Sequence, residues 1–122
     1  MASLNKVLLI GNLTADPELK STTNGKSVCN FSIAVNRPFV KEGSNVQDVD
    51  FINVTTWGKT AEFVAAYFSK GEPIFVCGAL QVRSWNDNDG TKRYATEVNA
   101  DEVSFVRSKS QNTAESVTNE KN

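Results

Sequence analysis

Five stretches of the chain are predicted to be β-strands, because apolar and polar residues alternate in them with a period of two or, in the first, form the short apolar run of residues 7–10. The five stretches are residues 5–14, 28–36, 50–57, 73–85 and 92 to about 100. In the second stretch, Cys29, Phe31 and Ile33 share one face, and small or polar residues take the other. The pattern predicts an all-β domain.

The third stretch has two contrasting faces. Ile52, Val54 and Thr56 form an ordinary half-buried face of β-branched residues. The opposite face places the rings of Phe51 and Trp57 on one side of the strand, with only small polar groups between them. Two large rings in a polar row are unusual for a core and for a solvated surface. We therefore expect a flat, partly polar ligand to lie on this face.

The fourth stretch repeats this contrast. One face is predicted to pack with the core through Ile74, Val76, Leu80 and Val82. The other ends in Gln81, Arg83 and Trp85, residue types that suit stacking and phosphate contact. A polar hairpin tip is predicted at residues 86–90, which places Lys92 and Arg93 across the hairpin from Trp85.

The segments between the strands are predicted to be one helix and two loops. The helix lies between the third and fourth strands, is capped by Thr60 and ends at Gly71, and we expect it to serve in packing. The first loop, 15–27, contains the hairpin dipeptide Asn24-Gly25. In the second, 37–49, the ring of Phe39 either packs locally or closes over a ligand, with neighbouring cations to hold phosphates.

Composition bounds the chemistry that this chain can perform. The 122 residues include no histidine, which removes imidazole metal ligands and the commonest general base. Cys29 and Cys77 are far apart in the sequence and are expected to be buried thiols. We expect no catalytic residues, no metal and no cofactor. Because the formal net charge is −1, only local clusters of cations could bind nucleic acid.

One folded domain is predicted at residues 1–106, followed by a disordered polar tail at 107–122. Val117 is the only apolar residue larger than alanine in that tail, so it cannot bury enough surface to fold. The longest N-terminal apolar run, residues 7–10, is too short to span a membrane or to direct export. A cytoplasmic location is therefore expected.

Five strands with a short helix between strands 3 and 4 describe the five-stranded Greek-key barrel of the OB-fold. Nine segments carry a more specific pattern: Gly11-Asn12-Leu13-Thr14, Asp16-Pro17-Glu18-Leu19, Asn30-Phe31, Ala34-Val35-Asn36-Arg37-Pro38-Phe39, Asp50-Phe51-Ile52-Asn53-Val54, Trp57-Gly58-Lys59, Lys70-Gly71, Gly78 with Leu80, and Arg83-Ser84-Trp85. Through these segments the chain resembles the bacterial single-stranded DNA-binding proteins, in register from about Ser3 to Val106.

The resemblance implies a function and a set of site residues. The function is sequence-independent binding and protection of single-stranded DNA during replication, recombination and repair, by a homotetramer on the DNA of the nucleoid. The bases are expected to stack on Phe39, Phe51, Trp57 and Trp85. The phosphates are expected to contact Lys6, Arg37, Lys59, Lys70, Arg83, Lys92 and Arg93, with Arg37, Arg83 and Arg93 preferred.

Two other functions are weighed against DNA binding. An accessory OB domain could bind a protein through its loops, but rings interleaved with cations argue against it. A hydrolase built on the barrel would need a general base or a nucleophile system, which the sequence lacks. Family members commonly end in an acidic tip with Ile-Pro-Phe that recruits replication and repair enzymes. The sequence here ends Glu120-Lys121-Asn122, so we expect no recruitment through such a tip.

Overall fold

The computed structural model describes residues 1–38 and 48–107. Its strands are β1 (Val7–Leu13), β2 (Glu18–Ser21), β3 (Ser27–Asn36), β4 (Val49–Trp57), β5 (Pro73–Asn86) and β6 (Lys92–Phe105), and helix α1 (Gly58–Tyr67) lies between β4 and β5. The five predicted strands correspond to β1, β3, β4, β5 and β6. The predicted all-β fold with one short helix is therefore confirmed.

The strands form one sheet in the order β1-β5-β6-β4-β3-β2, and a further pairing of β1 with β3 closes it into a barrel. Neighbouring strands are antiparallel except β4 and β6, which run parallel. The core inside the barrel consists of Leu13, Cys29, Phe31, Ile33, Val54, Ala61, Val64, Phe68, Ile74, Val76, Val98 and Ala100. Cys29 and Cys77 are both buried free thiols, as predicted.

Strand β2 lies inside the segment that was predicted to be a loop, residues 15–27. It pairs antiparallel with the first part of β3, and Gly25, with φ of 84°, lies in the turn between them. The hairpin predicted from Asn24-Gly25 is thus present. Its first strand escapes the sequence pattern because all of its side chains are exposed, so apolar and polar residues do not alternate.

A β-bulge divides the long hairpin of β5 and β6. Cys77 lies opposite Glu102 and Gly78 lies opposite Ala100, which leaves Asp101 without an opposite residue on β5. Because a one-residue shift exchanges the two faces of a strand, β6 turns apolar residues toward the core on both sides of the bulge. Strand β6 can therefore continue well past its predicted end near residue 100.

Leu80 and Val82 were predicted to pack with the core, but their side chains are 49% and 62% exposed. Leu80 lies opposite the buried Val98, so it does point to the core side of the sheet. However, β4 pairs with β6 only from Val98 to Ala100, and the rest of the β5–β6 hairpin extends beyond the barrel. The core therefore ends before these two side chains.

Helix α1 begins earlier than predicted. Its N-cap is Trp57, which makes no side-chain cap hydrogen bond, so the predicted cap at Thr60 is wrong. Gly58 has φ of 61°, a left-handed conformation that lets β4 turn directly into the helix. The helix also ends before Gly71, which lies in the turn that leads to β5.

Two predictions fall outside the described residues. They are the ring of Phe39 in its loop and the polar tail beyond Arg107. Within residues 1–38 and 48–107, no helix is long and apolar enough to cross a membrane.

Candidate nucleic-acid interface

Strands β3, β4, β6 and β5 are consecutive neighbours in the sheet and present one continuous face on the side away from the core. The pairing registers place these side chains on that face: Val28, Asn30, Ser32 and Ala34 on β3; Phe51, Asn53, Thr55 and Trp57 on β4; Arg93, Ala95, Glu97 and Asn99 on β6; and Gln81, Arg83 and Trp85 on β5. We term this surface the open face. Its position follows from strand alternation, because the opposite side chains of the same strands fill the core.

Three aromatic rings of the open face are exposed to solvent. Phe51 is 70% exposed, and Trp57 and Trp85 are each 43% exposed. Phe51 and Trp57 stand toward opposite ends of β4, whereas Trp85 lies far out on the β5–β6 hairpin, opposite Arg93. The prediction that these rings lie outside the core is confirmed. Their role in stacking on bases stays a prediction.

A groove of about 630 Å³ lies on the open face beside Trp57, and several polar side chains contribute to its lining. The Thr55 hydroxyl lies 2.8 Å from Asn30 Oδ1 and 3.3 Å from Glu97 Oε2. Beside them, Asn99 Nδ2 donates to Gln81 Oε1 at 2.9 Å. The groove is lined by Val28, Asn30, Phe31, Ser32, Asn53, Val54, Thr55, Trp57, Arg83 and Glu97.

Each of the three arginines that the sequence favours for phosphate contact binds a carboxylate. The pairs are Arg37 with Asp50 at 3.0 Å, Arg83 with Glu97 at 3.1 Å and Arg93 with Asp87 at 2.6 Å. The hydrogen bond from Arg37 lowers the pKa of Asp50, and the same bond raises the pKa of Arg37. These carboxylates offset much of the positive charge near the rings, and they fix the direction in which each guanidinium points.

The lysines are placed differently from the arginines. Lys59 lines a second groove of about 480 Å³ beside Trp57, together with Lys26. The Nζ atom of Lys92 lies 5.9 Å from the centre of the Tyr94 ring. Within residues 1–38 and 48–107, no ion pair is formed by Lys6, Lys59, Lys70 or Lys92.

Two of the predicted phosphate contacts lie away from both grooves. Lys6 precedes β1, and the β1–β5 register, extended by one residue, places it beside Ala79. Lys70 lies in the connection from α1 to β5, where its backbone N–H donates to Asp16 Oδ1 at 2.7 Å. Neither lysine lines either groove, so any contact of Lys6 or Lys70 with phosphate would be made at the margins.

Within the described part of the chain, no group of three or more Cys, Asp or Glu side chains is arranged to hold a metal ion.

Comparison of the sequence with known protein families finds a match over most of the chain. The model of the single-strand binding protein family matches residues 4–106, which contain all the strands described above. The chain belongs to the single-strand binding protein family.

Relatives of this family member come from several bacteria. Single-stranded DNA-binding protein 2 of Clostridium acetobutylicum is 53% identical over 104 residues, which cover 84% of this chain and 77% of that protein. The single-stranded DNA-binding protein of Clostridium tetani is also 53% identical, covering 84% of this chain and 70% of its own length. Single-stranded DNA-binding protein 3 of Listeria innocua is 44% identical over 116 residues, covering 95% of this chain and 72% of its own.

Sequence reasoning on this single-strand binding protein misses two charged residues of the site. Lys26 reaches the groove beside Trp57 because the β2–β3 hairpin brings it there, and β2 itself is not visible in the apolar pattern. Glu97 lies on the same face of β6 as Arg93, a relation that strand alternation could have revealed. Its position in the groove, beside Thr55 and Arg83, depends on the partner strands, so strand alternation could not have revealed it.

Proposed function

We propose that this protein binds single-stranded DNA without sequence preference and protects it during replication, recombination and repair. The observation that carries the proposal is the open face, which presents three exposed rings together with a groove lined by Trp57, Arg83 and polar side chains of β3, β4 and β6. It is a binding protein and not an enzyme, in line with its family. A protein in this role works in the cytoplasm, on the DNA of the nucleoid.

Stacking supplies most of the affinity in this proposal. Every base offers a π-face to an aromatic ring, so stacking tolerates any sequence, and in proteins of this class it contributes about 1–3 kcal/mol per base. Phe51, Trp57 and Trp85 are the described stacking rings, and Phe39 is proposed as a further ring from its loop. In duplex DNA the faces of the bases are stacked on one another and are not accessible to these rings, so we expect weaker binding to duplex DNA.

Phosphate contacts make a smaller contribution. The formal net charge is −1, and Arg37, Arg83 and Arg93 already bind carboxylates. We propose that these arginines and Lys59 and Lys92 fix the path of the backbone, with Lys6 and Lys70 at its margins. Each neutralised phosphate on a single strand contributes about −0.7 to the slope of log affinity against log salt, so a shallow slope is expected.

The protein is proposed to act as a homotetramer. The outward side of β1 exposes two large apolar residues, Leu8 at 61% and Ile10 at 55%, and Leu4 before the strand is 92% exposed. A stripe of exposed aliphatic side chains on a strand is typical of a contact surface between protein chains. Several barrels joined through β1 would let one DNA strand pass over more than one open face.

Titration with oligo-dT tests this function. Bound bases should quench the fluorescence of Trp57 and Trp85, and Trp57→Ala and Trp85→Ala should each weaken binding by about 1–3 kcal/mol while the fold stays intact. Tyr67→Ala is the matched control, since Tyr67 is 63% exposed but lies on α1, away from the open face. Unchanged affinity in both tryptophan variants, or equal displacement by duplex DNA, contradicts the proposal.

A further inference from the structure

A continuous row of polar contacts crosses all the strands of the open face. From β3 to β5 it consists of Asn30, Thr55, Glu97 and Arg83, joined at 2.8 Å, 3.3 Å and 3.1 Å, and it ends at Trp85. The Thr55 hydroxyl has one proton for the two oxygens that flank it. With the Asn30 amide turned by 180°, its NH₂ group would donate to Thr55, and that proton would be free for Glu97.

Arg83 is held in a defined orientation at the end of this row. Its Nε–H donates to Glu97 Oε1 at 3.1 Å, and its Cζ atom lies 5.1 Å from the centre of the Trp85 ring. Its two terminal nitrogens make no hydrogen bond to any residue in 1–38 or 48–107. The carboxylate and the ring therefore fix the guanidinium while leaving its outer N–H groups available to a phosphate.

Glu97 is an unexpected residue in a groove for a polyanion. Its side chain is only 18% exposed, so the carboxylate lies at the floor of the groove and not at its rim. Electrostatic repulsion alone would make this charge harmful to DNA binding. A benefit must come from its contacts, and these are with Thr55 and Arg83.

We propose that Glu97 is a positioning residue, which holds Arg83 against Trp85 and so prepares the open face for the DNA strand. The inference rests on the proposed function, because the benefit of a fixed guanidinium appears only when a strand binds. Without Glu97 the long Arg83 side chain would have to be ordered during binding. Immobilising such a side chain weakens affinity by about two- to twelvefold, equivalent to about 0.5–1.5 kcal/mol.

A double-mutant cycle tests the proposal through the sign of the change in oligo-dT affinity that Glu97→Gln causes with and without Arg83. In the unmodified protein, Glu97→Gln should weaken oligo-dT binding by about two- to twelvefold, although it removes a negative charge. In the Arg83→Ala background, Glu97 has no guanidinium to hold, so the same substitution should tighten binding by about twofold through lost repulsion. Tightening in both backgrounds, or equal weakening in both, overturns the proposal.

A matched control and a measurement without DNA complete the test. Glu102→Gln removes the same charge from an exposed position of β6 outside the groove, and it should leave affinity unchanged or slightly higher. In the free protein, the Nε–H resonance of Arg83 should shift and exchange faster with water in Glu97→Gln, and an unaltered resonance overturns the proposal. If the unmodified protein fails to bind oligo-dT, the proposed function fails as well. If the unmodified protein binds oligo-dT but the effects of Glu97→Gln and Arg83→Ala on affinity are additive, only the role of Glu97 is refuted.

Discussion

Arginine and carboxylate side chains are paired residue by residue, on the open face for Arg83 and Arg93 and at the ends of β3 and β4 for Arg37. The single Nε–H of Arg37 is shared between the two carboxylate oxygens of Asp50, Nη2 donates to Oδ1, and Asp48 lies 3.8 Å from the same guanidinium. Since Arg37 lowers the pKa of Asp50 from 3.8, this pair stabilises the folded state at neutral pH, and the stabilisation is lost as the pH falls through that lowered pKa. A phosphate that contacts Arg37, as we propose, would have to compete with the carboxylate for the guanidinium.

Asp50→Asn should therefore tighten DNA binding. The substitution removes one negative charge and the ion pair between Asp50 and Arg37, so a phosphate would no longer compete with that carboxylate, and we expect roughly two- to fivefold higher oligo-dT affinity at 0.1 M salt. The slope of log affinity against log salt should become steeper by up to about 0.7. Titrations at several salt concentrations measure both quantities.

Asp101→Asn is the control for the change in net charge, because Asp101 is exposed at the bulge of β6, outside the groove. Equal gains in the two variants would mean that net charge, and not the loss of the Asp50–Arg37 ion pair, governs affinity. Weaker binding by Asp50→Asn would mean that the carboxylate positions Arg37, as proposed for Glu97 and Arg83.

Among the elements, the β5–β6 hairpin contributes the largest number of charged and aromatic side chains to the open face. It contributes Arg83, Trp85, Arg93 and Glu97, and its outer part pairs with no other strand of the described chain. Gly78 at the bulge allows the close approach of the two strands on which this hairpin depends. A Cβ atom at Gly78 would lie 2.7 Å from Ala100 Cα, and it would overlap the Asn99 carbonyl oxygen.

Gly78→Ala should destabilise the fold by about 1–3 kcal/mol, because backbone atoms cannot yield as a flexible side chain does. Thermal or urea unfolding measures this loss. Gly90→Ala is the control in the same hairpin: Gly90 has φ of 86°, but an added Cβ meets nothing within 4 Å, so only the conformational cost of about 1–2 kcal/mol applies. An alanine at position 78 that leaves the unfolding midpoint unchanged would show that the strands separate there without cost.

At the scale of the whole molecule, the exposed stripe on β1 is the surface through which we propose that several barrels assemble. Leu8 and Ile10 point away from the core, and the neighbouring Phe75 lies opposite Ile10 on β5. A single barrel would leave this apolar surface in water, whereas a second chain would bury it and gain about 25 cal/mol for each Å² removed from water.

Ile10→Glu should break the assembly. The unmodified chain of 13.3 kDa is expected to have about four times this mass by light scattering, and the variant should have a smaller mass because a buried glutamate would lose its hydration. Leu19→Glu is the control, since Leu19 is 47% exposed on β2, a strand that pairs with β3 and not with β1. A monomeric unmodified protein, or an unchanged mass in Ile10→Glu, would refute the role of this stripe.

The sequence by itself determined which side chains of each strand leave the core. Alternation is a local property, so Phe51 and Trp57 could be placed on one face of β4 without any knowledge of the neighbouring strands. The same local rules located the hairpin tips, because Gly25 and Gly90 provide the positive φ that tight turns need. Resemblance to a family then supplied the function of the face that these rings share.

Tertiary structure alone decided which groups meet on that face. Strand β2 has no apolar alternation and forms only because β3 offers a partner. Glu97 reaches Arg83 and Thr55 through pairings between residues distant in sequence, and the bulge at Gly78 sets which residues of β5 and β6 lie opposite each other. Such contacts depend on the register between strands, and a local pattern of side chains fixes the faces of a strand but not its partner or its register.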